Sequence, residues 1–210
     1  MWRFITSSLE KQSWHNTNGN QVVFWGRSNV GKSSLLNALT GQKVSFVSKK
    51  PGRTQLINFF ADNNDKYIVD LPGYGYAEMS KTKQEHMLKC IKDYLTLDKN
   101  PKHIFLLIDS RTGITKIDFE TLSWLQKLPW DISIIYTKID KLNQKDRSTL
   151  IKKHESLIEK KLLNSYLNTH WVSAEKKLNL DELVLEIESI LYPDFETDEQ
   201  AKWGKNEKKS

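Results

Sequence analysis

The sequence predicts an α/β fold, a mixed and mostly parallel sheet of six strands covered by helices on both faces. Short apolar segments alternate along the chain with longer segments of helical periodicity, a pattern typical of strands joined by crossover helices. The length of 210 residues suits one domain with a full hydrophobic core, since a division would leave two small pieces.

The predicted elements follow one another in a regular order. Strands are expected at residues 21–25, 56–61, 66–69, 103–109, 132–136 and 169–172. Helices are expected at residues 34–39, 87–97, 118–128, 146–160 and 180–191. Residues 62–65 are turn formers and too few for a crossover, so we expect the strands on either side to pair as an antiparallel hairpin.

The two ends of the chain differ from its centre. Residues 1–20 are expected to form an N-terminal extension, with a short candidate edge strand at residues 2–6. Residues 21–192 are expected to form the main domain. Residues 193–210 are mostly charged and polar, which is typical of a disordered tail.

Bulk features exclude several classes of protein. No apolar run approaches the roughly 18 residues of a membrane span, and the N-terminus lacks the layout of a secretory signal. The single cysteine, Cys90, has no partner for an internal disulfide, and the five histidines lack metal-ligand spacing. We therefore expect a cytoplasmic protein with no membrane partner and no transition-metal site.

The formal net charge of +6 suits an anionic partner such as RNA. The competing explanation is that lysine-rich composition reflects base bias in the genome. No RNA-binding domain pattern is present. If a partner binds, we expect it to contact Tyr74, Tyr76, Lys81 and Lys83.

Residues 26–33 read Gly-Arg-Ser-Asn-Val-Gly-Lys-Ser, a complete G-x-x-x-x-G-K-S phosphate-binding loop between a predicted strand and a predicted helix. Glycines let backbone N–H groups surround phosphates, and the helix N-terminus adds its positive end. We expect Lys32 to reach the β- and γ-phosphates and the Ser33 hydroxyl to bind Mg²⁺. The predicted contacts are Gly26, Arg27, Ser28, Asn29, Val30, Gly31, Lys32, Ser33 and Ser34.

A second motif, Asp-Leu-Pro-Gly, follows the strand predicted at residues 66–69. A carboxylate at a strand end can hold a water of the Mg²⁺ shell, and a glycine can offer its N–H to a γ-phosphate. The predicted contacts are Asp70, Leu71, Pro72 and Gly73.

Two further motifs, Thr-Lys-Ile-Asp and Val-Ser-Ala, indicate recognition of guanine. Asp140 can accept hydrogen bonds from the guanine N1–H and 2-amino groups, which adenine lacks on that edge, while the stem of Lys138 lies over the base. The segment 172–174 would bring a backbone N–H to the guanine O6. The predicted contacts are Thr137, Lys138, Ile139, Asp140, Val172, Ser173 and Ala174.

The segments GRSNVGKSSLLNAL, PGRTQLINFF, DLPGYGYA, TKID and VSA resemble the EngB (YihA/YsxC) family of bacterial ribosome-biogenesis GTP-binding proteins, within the Ras-like TRAFAC superclass. The resemblance extends from about residue 3 to residue 191. It implies a Ras-like P-loop GTPase domain that hydrolyses GTP to GDP slowly, as a Mg²⁺-dependent switch. It also implies a monomer that binds the large-ribosomal-subunit precursor, through rRNA and ribosomal protein, and is needed for normal cell division and septation.

The same resemblance assigns the switch segments. Residues 41–54 correspond to switch I, where Thr54 would bind Mg²⁺ and the γ-phosphate, and residues 73–81 correspond to switch II. The implied metal ligands are Ser33, Thr54 and Asp70, and the implied catalytic residues are Lys32, Thr54 and Gly73. Further nucleotide contacts are implied at Gly52, Arg53, Thr54, Gln55 and Leu56.

Two residues, Tyr74 and Thr137, depart from the Ras pattern, and a third, Asn29, indicates a candidate cation site. Tyr74 stands where Ras-like proteins have a water-orienting glutamine, so intrinsic hydrolysis should be slow. Thr137 stands where most GTPases have asparagine. Without the amide we expect a looser connection to the phosphate loop and micromolar affinity for the nucleotide. Asn29 stands where related cation-activated GTPases use asparagine to coordinate K⁺, although it can equally satisfy the loop backbone.

Three other functions compete with this interpretation. A P-loop ATPase or small-molecule kinase explains residues 26–33 but leaves Asp140 and the segment 172–174 without roles. The GTPase module of a transporter or tRNA-modifying enzyme needs a membrane region or a catalytic domain, and we expect room for neither in this chain. A binding-only pseudo-GTPase is consistent with Tyr74.

Overall fold

The computed structural model describes residues 1–14, 19–42, 56–75 and 79–193. The strands are β1 (Arg3–Ser8), β2 (Gln21–Gly26), β3 (Ile57–Ala61), β4 (Tyr67–Asp70), β5 (Lys102–Asp109), β6 (Asp131–Thr137) and β7 (Asn168–Trp171). The helices are α1 (Lys32–Thr40), α2 (Lys81–Leu97), α3 (Lys116–Leu125), α4 (Gln144–Glu159) and α5 (Leu180–Leu191), with short 3-10 helices at Lys11–Ser13 and Ile139–Lys141.

All seven strands belong to one sheet, in the order β1-β3-β4-β2-β5-β6-β7. The β3–β4 pair is antiparallel, as the short turn between them predicts, and β1 adds to β3 in the same sense. The other neighbouring pairs are parallel. The carboxyl ends of β2, β4, β5 and β6 therefore lie at one edge of the sheet, where ligands of such folds bind.

Helices cover both faces of the sheet. One apolar cluster joins the sheet to α2, α3 and α4, and a second joins the opposite face to α1 and α5. Every residue of the central strand β2 is buried. That burial explains why residues 22–25 are continuously apolar instead of alternating with polar residues.

The α/β class, the mixed sheet and the six predicted strands are confirmed. The strand count is wrong by one, because the candidate strand in the N-terminal extension is present as β1 and completes a seven-stranded sheet. Its pairing shifts register between Phe4 and Thr6, and its residues are partly or fully exposed, both of which are typical of an edge strand. The predicted tail from residue 194 onward lies outside the described residues.

Helix starts are set by capping groups that precede the apolar pattern. The Asn143 side chain accepts a hydrogen bond of 2.9 Å from the Asp146 backbone N–H, so α4 begins one residue later, at Gln144. At α3, Thr115 and Asp118 form a reciprocal capping box. Among the described residues, no helix combines the length and apolarity needed to cross a bilayer.

Candidate functional site

The predicted phosphate loop, residues 26–33, connects the carboxyl end of β2 to the N-terminus of α1. Gly31 has a φ of 105°, a left-handed conformation that favours glycine. Asn29 is also left-handed, with a φ of 64°, which asparagine tolerates better than most residues. The loop therefore has the turn geometry that its glycine-rich motif predicts.

A buried ion pair lies at the centre of this edge. The Lys32 ammonium pairs with one carboxylate oxygen of Asp70, at the carboxyl end of β4, and both side chains are buried. Burial lowers the pKa of Lys32 to about 7. The Asp70 carboxylate beside it favours the charged ammonium, as any close opposite charge does. A phosphate suits the cation of this pair, and a divalent metal suits its carboxylate.

Two of the predicted metal ligands, Ser33 and Asp70, lie on segments that the Lys32–Asp70 pair joins. Ser33 follows Lys32 in α1, and the Lys32 pair with Asp70 ties that turn to the end of β4. In the described part of the chain, no three His, Cys, Asp or Glu side chains cluster as a metal site. A hydroxyl and a carboxylate are the usual protein share of a Mg²⁺ shell completed by phosphates and water. The third predicted ligand, Thr54, lies outside the described residues.

A cavity of about 240 Å³ adjoins the phosphate loop. Residues from the predicted guanine motifs line it together with the start of α1. Its lining residues are Gly31, Ser34, Leu35, Arg111, Thr137, Lys138, Asp140, Lys141, Val172, Ser173, Ala174 and Glu175. The fold thus gathers the separate motifs around one space.

Asp140, at the rim of this cavity, is held as a carboxylate. Burial raises its pKa, but hydrogen bonds from Ser173 and Lys141 outweigh that effect and leave the pKa below its usual value. The Lys141 ammonium lies 3.2 Å from the carboxylate and 2.7 Å from Glu175. An ionised carboxylate here accepts hydrogen bonds and cannot donate them, which is the property that the guanine edge requires.

Of the three residues in the Val-Ser-Ala motif, two use their N–H groups inside the fold. The Val172 N–H donates to the Tyr136 carbonyl at 2.8 Å, and the Ser173 N–H donates to the Leu178 carbonyl at 3.1 Å. The candidate donor to the guanine O6 is therefore the N–H of Ala174, which lines the cavity.

Lys138 links the guanine motif to the phosphate loop. Its ammonium donates to the Asn29 carbonyl at 2.6 Å and to Asp109 at 2.9 Å. Asp109 also accepts three hydrogen bonds from the Arg111 guanidinium, 2.9, 3.3 and 2.7 Å long. Burial raises the pKa of Asp109, but the bonds from Arg111 and Lys138 hold it well below its usual value. Sequence reasoning missed Asp109 and Arg111, although Asp109 ends a predicted strand at the ligand edge.

Thr137 itself bonds to the phosphate loop, and a looser brace than asparagine would give stays a prediction. The Thr137 hydroxyl is buried and donates to the Val30 carbonyl in the phosphate loop at 2.6 Å. It also lies 3.2 Å from the Ile108 carbonyl. Threonine therefore retains a direct bond between these loops, and the predicted micromolar affinity stays a prediction.

Tyr74 is not part of a partner-facing surface, contrary to our expectation. Its side chain is only 1 % exposed, and its hydroxyl donates to Asp118 at 2.8 Å. Lys81 and Lys83 are exposed, while Tyr76 lies outside the described residues. Asp118 was also missed, although its position three residues after Thr115 is the spacing of a capping box.

Three further groups of predicted contacts have distinct positions. The side chains of Val30, Leu71, Ile139 and Val172 are buried in the core, so only their backbones are positioned to meet a ligand. Leu56, 40 % exposed, does not line the cavity. Gly52, Arg53, Thr54 and Gln55 lie outside the described residues.

Comparison with known proteins accords with this geometry. A family model described as "50S ribosome-binding GTPase" matches residues 21–138. The "Probable GTP-binding protein EngB" of Mycoplasmopsis agalactiae is 55% identical over 193 residues, which cover 91% of this chain and 99% of that protein. The protein of the same name from Clostridium beijerinckii is 41% identical, with 93% and 96% covered. The chain belongs to the EngB family of GTP-binding proteins.

Solved structures agree with the family. The crystal structure of a probable GTP-binding protein EngB is 26% identical, with a TM-score of 0.59, and the match covers 81% of this chain and 98% of that one. Era in complex with MgGDPNP and nucleotides 1506–1542 of 16S ribosomal RNA is 29% identical, with a TM-score of 0.62. That match covers 84% of this chain but only 58% of the Era chain. EngB membership makes the protein a GTPase, which favours this function over the ATPase or kinase alternative.

The bond from Thr137 to Val30 yields a first prediction. Thr137→Val should lower the free energy of unfolding by about 1–3 kcal/mol and weaken GDP binding, because the buried Val30 carbonyl loses its donor. Urea denaturation and titration with a fluorescent GDP measure the two effects. Thr137→Ser retains the hydroxyl and serves as the control. A valine variant as stable and as tight as the wild type would show that the bond is not a brace.

Proposed function

We propose that this chain is a slow, Mg²⁺-dependent GTP switch that assists assembly of the large ribosomal subunit. The proposal rests above all on one observation: an ionised Asp140 at the rim of a cavity that adjoins the phosphate loop. In this proposal guanine occupies the cavity, with Asp140 accepting from N1–H and the 2-amino group and Ala174 donating to O6.

The phosphate end of the nucleotide is proposed to separate the Lys32–Asp70 pair. Lys32 would then bind the β- and γ-phosphates, while Asp70 and Ser33 turn toward Mg²⁺. A bound Mg²⁺ would neutralise charge on the β- and γ-oxygens. We propose Thr54 and Gly73 as the further contacts of the γ-phosphate, by family resemblance, with residues 52–56 near the nucleotide.

The proposed rate of hydrolysis is low because no glutamine follows Gly73. The phenol of Tyr74 is tied to Asp118 inside the domain, so it is badly placed to orient an attacking water. We propose that acceleration comes from a ribosomal partner or from a monovalent cation. Multiple turnovers with Mg²⁺ distinguish this slow enzyme from a binding-only pseudo-GTPase.

The ribosomal target is supported by the family description and by the Era–rRNA neighbour. It is also supported by an uneven distribution of charge. Within the described residues, α2 and α4 together carry eight basic and five acidic residues and lie on one face of the sheet. On the other face, α5 carries four acidic residues and no basic one. We therefore propose that the α2–α4 face meets rRNA.

The remaining parts of the proposal follow from that target. A ribosomal partner places the protein in the cytoplasm, and the chain would act as a monomer. We propose that any effect on septation is a consequence of failed ribosome assembly.

The guanine assignment yields the sharpest test. Asp140→Asn should weaken GTP binding by about 2–5 kcal/mol, because the new amide presents a donor to donors in a desolvated pocket. Xanthine offers the complementary acceptor, so XTP should bind the variant better than GTP does. Calorimetry with both nucleotides measures the exchange of preference. An Asp140→Asn variant that keeps its GTP affinity would refute the assignment.

Asn29 carries a prediction about monovalent cations. If its carboxamide helps to hold K⁺ against the phosphates, GTP turnover should be faster in KCl than in NaCl at equal ionic strength. Asn29→Ala should remove that difference while leaving the slow basal rate. Equal wild-type rates in the two salts would rule out K⁺ activation.

The proposed rRNA face is tested by exchanging two exposed lysines of α4. Lys152→Gln with Lys153→Gln should reduce co-sedimentation with large subunits in the presence of a non-hydrolysable GTP analogue, since phosphate contacts depend on charge. The pair Lys152→Arg with Lys153→Arg keeps the charge and is the matched control. No difference between GDP and the analogue in the wild type would argue against a switch, and equal binding by both pairs would exclude this face.

A further inference from the structure

The first residues of switch II are fastened to the phosphate loop by their backbone. The Tyr74 N–H donates to the Gly26 carbonyl at 3.2 Å, and the Ser28 N–H donates to the Tyr74 carbonyl at 2.9 Å. Gly73 packs so closely that a Cβ on it would lie 2.9 Å from the Ser28 nitrogen. The glycine whose N–H is assigned to the γ-phosphate thus rests directly against the phosphate loop.

The side chain of Tyr74 makes this attachment rigid. It is buried, packs edge-on against Trp25 at 5.3 Å between ring centroids, and donates its hydroxyl to Asp118. Burial and the Asp118 charge raise the pKa of Tyr74 far above its usual value, so the phenol stays a donor. Trp25 in turn donates its indole N–H to the Pro72 carbonyl at 3.0 Å.

Asp118 joins three parts of the chain. Besides Tyr74, it accepts from the Arg27 side chain at 3.1 Å, from the Thr115 N–H at 2.9 Å and from the Thr115 hydroxyl at 2.6 Å. Arg27 also donates to the Thr112 hydroxyl at 2.6 Å. This fully buried carboxylate therefore ties the phosphate loop, the start of switch II and the N-terminus of α3 together. We call these contacts of Tyr74, Asp118 and Arg27 the switch II latch.

We propose that Tyr74 and Asp118 are positioning residues that favour GTP over GDP. The latch holds the Gly73 backbone in place before the nucleotide arrives, so less conformational entropy is lost when its N–H meets a γ-phosphate. GDP has no γ-phosphate and gains nothing from that placement. The inference rests on the proposed nucleotide site. It explains why a tyrosine follows the glycine: its phenol restrains the backbone and leaves the water unassisted.

The test compares two nucleotides on one conservative variant. Tyr74→Phe removes only the hydroxyl, and Asp118 keeps its bonds from Arg27 and Thr115. Affinity for a non-hydrolysable GTP analogue should fall by about three- to tenfold, the loss of one hydrogen bond, while GDP affinity changes less than about twofold. Tyr94→Phe is the matched control. It deletes an equally buried hydroxyl, bonded to Gln21 at 2.5 Å and remote from the phosphate loop, and should alter neither affinity.

Each other result has a distinct meaning. Equal weakening of both nucleotides, no change in either, or tighter binding of the analogue would overturn the latch. Failure of the wild type to bind either nucleotide would instead overturn the proposed site. A wild-type measurement avoids any dependence on how the variant folds. The Tyr74 amide should be strongly protected from hydrogen exchange with GDP bound, and exchange at the unprotected rate would refute the latch.

Discussion

The buried pair between Lys32 and Asp70 is the interaction on which the arrangement of this domain depends. It joins the first turn of α1 to the end of β4, and so joins the phosphate loop to the strand that leads into switch II. Two charges in the interior are costly unless each has a close partner. Here each partner is also the group that a ligand would need: a cation for phosphate and a carboxylate for metal. In the proposed function, the domain keeps these two groups paired with each other until the nucleotide arrives.

Other buried or partly buried carboxylates along this edge of the sheet also hold several segments together. Asp109 and Asp118 each collect several donors from different segments, and Asp140 is held ionised by its neighbours. A carboxylate accepts up to four hydrogen bonds, so one buried residue can fix several loops that share no apolar contact. Loops that must meet a polar ligand cannot be packed like a core, and these carboxylates give them defined positions instead. The fold brings the loops to one edge of the sheet, and the acidic residues fix the positions of the loops there.

Much of this organisation could be predicted from the sequence, because it depends on local patterns. Apolar runs predict the strands, and the short turn at residues 62–65 predicts the hairpin. What escaped prediction depends on partners distant in the chain. The Thr137 bond to Val30 spans 107 residues, and the Tyr74 bond to Asp118 spans 44. β1 is harder to predict, because it lies at the end of the sheet and pairs with a single neighbour, β3. The burial of Tyr74 could not be predicted from its motif, because its partners Trp25 and Asp118 lie far from it in the chain.

The separation of charge between the two faces of the sheet has a consequence for encounters in solution. Within the described residues, α2 and α4 carry three more basic than acidic residues, and α5 on the opposite face carries four acidic residues and no basic one, so these three helices contribute a dipole across the sheet. The electric field of a polyanion would orient such a protein before contact, with α5 pointing away from the polyanion. A larger fraction of collisions then occurs in a productive orientation. The association rate, more than the lifetime of the complex, therefore depends on ionic strength.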